Sequence, residues 1–139
     1  MKARLLLAGY LGCGNYGDDA ILLGFLEAIA PHGYQYSILA SNPEKLMRTY
    51  GLTAVARFDA SQVKHAIAEC DALVFPGGSV FQDVTSFRSV LYYSSLVRSA
   101  KKAKKKVIML GQGVGPLNTF FGKRFAKGAF DRADVLMVR

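Results

Sequence analysis

The chain has 139 residues, 51% hydrophobic and 20% charged, with 14 Gly, 2 Cys and no Trp. That length suits one domain, the apolar fraction excludes a disordered chain, and the scattered Gly and Pro exclude a fibrous one. The net charge of +8 is uneven: residues 1–83 carry six Lys/Arg against eight Asp/Glu, and residues 84–139 carry twelve against two.

Residues 2–9 (Lys2 to Gly9) read as a first strand, buried on both faces because its apolar residues run on without alternation. Gly12-Cys13-Gly14-Asn15-Tyr16-Gly17 follows as a Gly-rich loop, then a helix from about Asp18 to Ala30, ended by Pro31. Tyr34 to Ala40 is a second strand. Asn42 and Pro43 open a second helix as cap and first helical residue, and Gly51 closes it. Thr53 to Ala56 is a third strand. Asp59-Ala60-Ser61-Gln62 has capping-box spacing and leads a helix carrying Val63, Ala66 and Ile67 on one face. Ala72 to Phe75 is a fourth strand, ended by Pro76-Gly77-Gly78-Ser79. A long helix from about Asp83 to Ala103 buries Phe87, Val90, Leu91 and Val97. Lys106 to Leu110 is a fifth strand, followed by the loop Gly111-Gln112-Gly113-Val114-Gly115-Pro116. A helix over about Asn118 to Ala129 and a strand at Val135 to Val138 complete the pattern. Because the last strand has no cap or tail, the expectation is the amino-terminal part of something larger.

Regular strand–helix alternation predicts an α/β fold, a doubly wound parallel sheet of Rossmann-like type with strand order 3-2-1-4-5. Five lysines, Lys101, Lys102, Lys104, Lys105 and Lys106, form a basic run. It reads first as a solvated helix end and second as a contact with anionic headgroups or a phosphorylated ligand. Nucleic acid is disfavoured, since no aromatic residue interleaves the run and no nucleic-acid motif accompanies it. The opening apolar run is broken by Gly9, Tyr10 and Gly12, too short for a signal peptide, and no stretch reaches the length of a membrane span. The expected location is cytoplasmic, with the lysine run as a peripheral contact at the inner face of a membrane.

The loops after strands one, four and five hold eight of the 14 glycines. In the expected strand order these strands are neighbours, and ligands bind outside their carboxyl ends at the switch point. Asn15, Asp18, Asp19, Ser79, Gln82, Asp83 and Gln112 are then expected around one crevice, unless the glycines merely serve tight turns. The first loop matches Gly-x-Gly-x-x-Gly, but no acidic ribose partner follows at about 20 residues, and Asp18 and Asp19 oppose a pyrophosphate at that helix terminus. An NADP site, which dispenses with that acid, stays open. A carboxylate at a helix N-terminus suits a hydroxyl-rich ligand and a general-base role, the alternative being simple complementation of the helix dipole. His32 and His65 read as solvated. Cys13 and Cys70 form neither a disulfide framework nor an activated thiolate site, and no metal-ligand spacing is present.

Three stretches together resemble the polysaccharide pyruvyl transferase family, nearest its bacterial cell-wall branch. They are Gly12-Cys13-Gly14-Asn15-Tyr16-Gly17-Asp18-Asp19, then Gly77-Gly78-Ser79-Val80-Phe81-Gln82-Asp83 running on through Ser89 to Tyr92-Tyr93, and Gly111-Gln112-Gly113-Val114-Gly115-Pro116-Leu117. Asp19 stands where the family usually has Glu, and Pro76 where it tends to have Gly. The resemblance implies the amino-terminal half of a two-domain, glycosyltransferase-B-like enzyme. That enzyme moves the pyruvyl group of phosphoenolpyruvate onto two hydroxyls of a lipid-linked or polymeric saccharide, forming a ketal. It implies Asp18 as the catalytic base, with Gly14, Asn15, Gly17, Gly78, Ser79, Gln82, Asp83 and Gln112 at the acceptor. Arg88 is either at an acceptor phosphate or a plain helix-surface residue. Donor-binding residues are expected in a carboxyl-terminal half that this sequence does not contain, and neither cofactor nor metal is expected. The competing readings are a glycosyltransferase using a nucleotide sugar and a non-enzymatic Rossmann-like binding module.

Overall fold

A computed structural model describes residues 2–139. Seven strands and five α-helices follow one another as β1 (Arg4–Leu7), α1 (Tyr16–Ile29), β2 (Gln35–Ala40), α2 (Pro43–Tyr50), β3 (Ala54–Ala56), α3 (Ala60–Glu69), β4 (Ala72–Phe75), β5 (Gly78–Phe81), α4 (Phe87–Lys102), β6 (Lys106–Val114), α5 (Phe120–Arg132) and β7 (Val135–Val138). A single 3-10 turn, Ala30–His32, extends α1.

All strand pairs are parallel, and the main path of the sheet runs β3-β2-β1-β4-β6, with β7 on the outer edge of β6. The chain winds outward through β2 and β3, then crosses back to place β4 beside β1, so the switch point lies between β1 and β4. Successive strand residues serve opposite faces, as a period of two requires. Leu6, Leu39, Leu73, Phe75, Val107 and Met109 join one core cluster with residues of α3, α4 and α5. Leu7, Ile38, Ala40, Val74 and Ile108 join a second with Leu22 of α1 and Leu46 of α2. The two clusters are the two helical layers of a doubly wound α/β fold.

Local chemistry sets the helix starts. Asn42 accepts the Lys45 N–H at 3.0 Å, with Pro43 next to it at the first helical position. Asp59 accepts the Gln62 N–H at 3.0 Å, and the Gln62 amide returns a bond to the other carboxylate oxygen rather than to the Asp59 backbone, so the capping box closes through side chains. Asn15 caps α1 by accepting from Gly17 and Asp18.

The structure corrects the expected elements in three places. Pro76-Gly77-Gly78-Ser79 is not simply a terminator: after a two-residue break the chain re-enters the sheet as β5. Gly111-Gln112-Gly113-Val114 is not a loop but the end of β6, because Gln112 pairs with Gly78 on one side and Val138 on the other. α4 begins at Phe87, capped by Ser86, rather than near Asp83. The β5 insertion is held by an aromatic group around Phe81, whose ring lies 5.0 Å from Phe130, 5.8 Å from Phe75 and 6.1 Å from Tyr93.

Candidate functional site

The carboxyl ends of β1, β4/β5, β6 and β7 bring four segments together, three of them with polar side chains. Gly78 has φ +93, and a Cβ built there would stand 2.8 Å from the Asp18 carboxylate. At Gly113 a Cβ would collide with the Ser79 hydroxyl. A side chain at either position would push the Asp18 carboxylate or the Ser79 hydroxyl aside, and at Gly78 the left-handed backbone conformation favours glycine as well. The Arg139 guanidinium reaches the Ser79 hydroxyl at 3.3 Å, and its backbone N–H bonds the Gln112 carbonyl at 3.1 Å. Asp18, Ser79 and Arg139 thus share one polar rim. The Gly-rich segments meet there as the strand order required.

The rim is electrostatically graded. Burial, and then the neighbouring Asp19 charge, push the Asp18 carboxyl above the ordinary carboxylate value, while Arg139 pulls it back. Asp19 is buried and internally bonded: it accepts the Gly12 N–H at 3.0 Å and the Tyr50 hydroxyl at 3.0 Å. It clamps the first loop, and Asp18 is the carboxylate left facing the rim.

Several residues expected around the crevice have their polar atoms engaged within the fold. Asn15 spends its amide oxygen on the α1 cap. Gln82 closes its own turn, accepting from Val84 and Thr85 N–H groups and donating to the Thr85 hydroxyl. Asp83 accepts from the Asn118 N–H, the Thr119 N–H and the Thr119 hydroxyl at 2.7–2.8 Å. Those donors hold its carboxyl below the ordinary range and tie β5 to the start of α5. Gln112 is fully buried, its Nε2 on the Leu110 carbonyl and its Oε1 without a partner. Gly14 and Gly17 are exposed beside Asn15. Arg88 lines a hollow of about 420 Å³ between α4 and α5 with Leu91, Arg98 and Phe125.

Three groups were not expected from the sequence. Arg139 follows the last strand, and the rule that ligands gather beyond strand carboxyl ends extends to it once β7 is seen to flank β6. Tyr50 reaches Asp19 from the end of α2. Arg57, after β3, is buried over the Tyr92 ring at 4.5 Å, and burial pushes the nearby Tyr93 phenol up to about 12. No sequence pattern signals the last two. Among the described residues no group of His, Cys, Asp and Glu is arranged to hold a metal ion. No helix there is long and apolar enough to cross a membrane.

Comparison with known families decides the affiliation. A family model described as polysaccharide pyruvyl transferase matches residues 15–139. The chain belongs to that family. No functionally curated protein matches this pyruvyl transferase family member. Among solved structures it is similar to an alpha-glucosyltransferase in complex with UDP and a 13-mer DNA containing an HMU base. The TM-score is 0.61 and the identity 12%, over 99% of this chain and 36% of that one. A second structure of an alpha-glucosyltransferase with UDP gives 0.60 at 13% identity, over 100% and 35%. The Citrobacter sp. triphenylmethane reductase complexed with NADP(H) gives 0.56 at 13%, over 94% and 44%. At these identities the likeness is one of fold: a Rossmann-like α/β unit of the kind found in glycosyltransferase-B-like proteins. The family member spans about a third of the glucosyltransferase chains and under half of the reductase.

Proposed function

We propose that the protein serves transfer of the pyruvyl group of phosphoenolpyruvate onto two hydroxyls of a cell-wall or exopolysaccharide sugar, forming a ketal. The single observation carrying this reading is that Asp18, within the stretch matched by the family model, is a partly desolvated carboxylate facing the rim shared by Ser79 and Arg139.

The chemistry divides into an addition and then a displacement at one carbon. A proton is delivered to the methylene carbon of phosphoenolpyruvate, and a sugar hydroxyl adds to the adjacent carbon while Asp18 accepts its proton. The second hydroxyl then displaces phosphate from the same carbon and loses its own proton, so one ketal and one inorganic phosphate are formed. A carboxyl raised toward working pH is better matched to this exchange than an ordinary aspartate. Ser79 orients the acceptor, and Arg139 offers a cation for acceptor or donor oxygens. Asn15, Gln82, Asp83 and Gln112 act mainly by shaping the rim that holds these groups. On this reading the chain is the acceptor-side domain, a second domain supplies the donor site, and phosphoenolpyruvate is a substrate with no cofactor required. A lipid-linked acceptor would bring the protein to the inner face of a membrane, where Lys102 and Lys104 face outward.

The test is release of inorganic phosphate from phosphoenolpyruvate in the presence of saccharide acceptors, using a protein that includes both domains. Asp18→Asn should lower kcat by about 10²–10⁴-fold. Turnover that survives this substitution removes Asp18 from the mechanism; turnover only with a nucleotide sugar replaces the reading by glycosyl transfer.

A further inference from the structure

α4 packs closely along α5 but scarcely touches α3, although both α3 and α4 lie on the same face of the sheet. The gap is a cavity of about 750 Å³. Val63 and Ile67 of α3 and Leu96 of α4 form its apolar bed, and from Tyr92 to Lys102 it follows α4 for about 15 Å. Lys64, Lys102 and Arg57 line it, and no carboxylate does. At the end nearest the strand carboxyl edge, the Arg57 guanidinium is covered by Phe58 at 5.0 Å and Tyr92 at 4.5 Å. Arg57 is only 7% exposed, its Nε has no hydrogen-bond partner, and no ion pair among the described residues includes it. The faces of Phe58, Tyr92 and Tyr93 compensate part of that burial, but the charge has no carboxylate counterion, a place that a bound anion would fill.

We propose that the trough between α3 and α4 binds a single lipid-type amphiphile, its chain along Val63, Ile67 and Leu96 and its anionic head on Arg57. The volume is that of a small-molecule site. An apolar helix laid there would leave all three cations unpaired. A second copy of this chain would set the same three cations against each other. The uniform positive lining therefore favours an anionic occupant over either. The inference does not depend on pyruvyl transfer, because the trough shares no residue with the Asp18 rim.

Calorimetry with dodecyl phosphate below its micellar concentration, alongside dodecyl maltoside and inorganic phosphate, tests it. Dodecyl phosphate should bind at least about tenfold more tightly than either control. Ser99→Trp, at an exposed position on the trough wall, should weaken it about tenfold with Tm unchanged. Arg57→Gln should weaken the phosphate amphiphile while sparing the maltoside, and Asp18→Asn should bind as the parent does. The proposal fails if neutral and anionic chains bind alike, if inorganic phosphate binds as well as the amphiphile, or if Ser99→Trp has no effect. It also fails if sedimentation shows a dimer that Ser99→Trp dissociates, which would give the trough to a second copy.

Discussion

Asp19 accepts the Gly12 N–H and the Tyr50 hydroxyl, and its charge lies beside Asp18. A carboxyl whose pKa rises on folding favours the folded state when protonated. Asp18 therefore aids the fold below its ordinary value of 3.8 and opposes it as pH rises through the raised folded value. Asp18→Asn should consequently leave Tm at pH 7 equal to or above that of the parent while activity is lost, as a thermal melt beside a phosphate-release assay will show. Arg139 acts in the other direction, since its charge lowers the Asp18 pKa. Arg139→Gln should shift the acid limb of the kcat/KM profile to higher pH; a limb that stays in place would separate Arg139 from the titrating group. Asp83 is the converse case. Its backbone and hydroxyl donors stabilise the charged form, so its contribution is present above pH 3.8 and fades as pH falls through the lowered value. Asp83→Ala should lower Tm at neutral pH, and the difference from the parent should shrink in acid.

β5 is the element on which the rim depends. It carries Gly78 and Ser79 to the edge of β6, yet it is only four residues long and its register with β6 shifts. Its anchor is Phe81, fully buried against Phe75, Tyr93 and Phe130. Phe81→Ala should cost about 3–5 kcal/mol in denaturant unfolding. The residual folded protein should show the Ser79 segment exchanging amide hydrogens faster than β4, because β4 keeps its own pairs with β1 and β6. The strands and helices around β5 were legible because each rests on local chemistry: Asn42-Pro43, the Asp59/Gln62 pair and the apolar run at 72–75 all sit where the pattern puts them. β5 and the second half of β6 were not. Glycine-rich segments have weak strand propensity, and only their pairing with each other and with β7 makes them sheet.

At the scale of the molecule, the positive charge is carried by the α4–α5 side, and folding reduces what the lysine run presents. Lys101 pairs with Asp134 at 2.9 Å, Lys106 approaches the same carboxylate at 3.9 Å, and Lys105 bonds the Ala68 carbonyl. Lys102 and Lys104 are exposed, without such partners. If the run meets anionic membranes, Lys102→Gln with Lys104→Gln should weaken vesicle binding by about 2 kcal/mol, roughly thirtyfold, measured by co-sedimentation with phosphatidylserine vesicles. Equal binding by the double variant would leave the run as a solvated helix end.

The order of apolar runs and amphipathic segments was enough to determine the α/β class, the placing of three Gly-rich segments at one sheet edge, and the family resemblance, because period-two and period-3.6 patterns and backbone-permissive glycines are properties of the chain itself. Which polar groups remain available was decided by tertiary structure. Asp83 is bonded by Asn118 and Thr119, brought to it in the fold, Gln112 is sealed inside the sheet, and Arg139 and Arg57 meet Ser79 and Tyr92 from far along the chain, whereas Asn15 and Gln82 are engaged by residues two and three positions on. A hydrogen-bond partner or a desolvating ring is a fact about space, and a linear sequence carries it only through the fold.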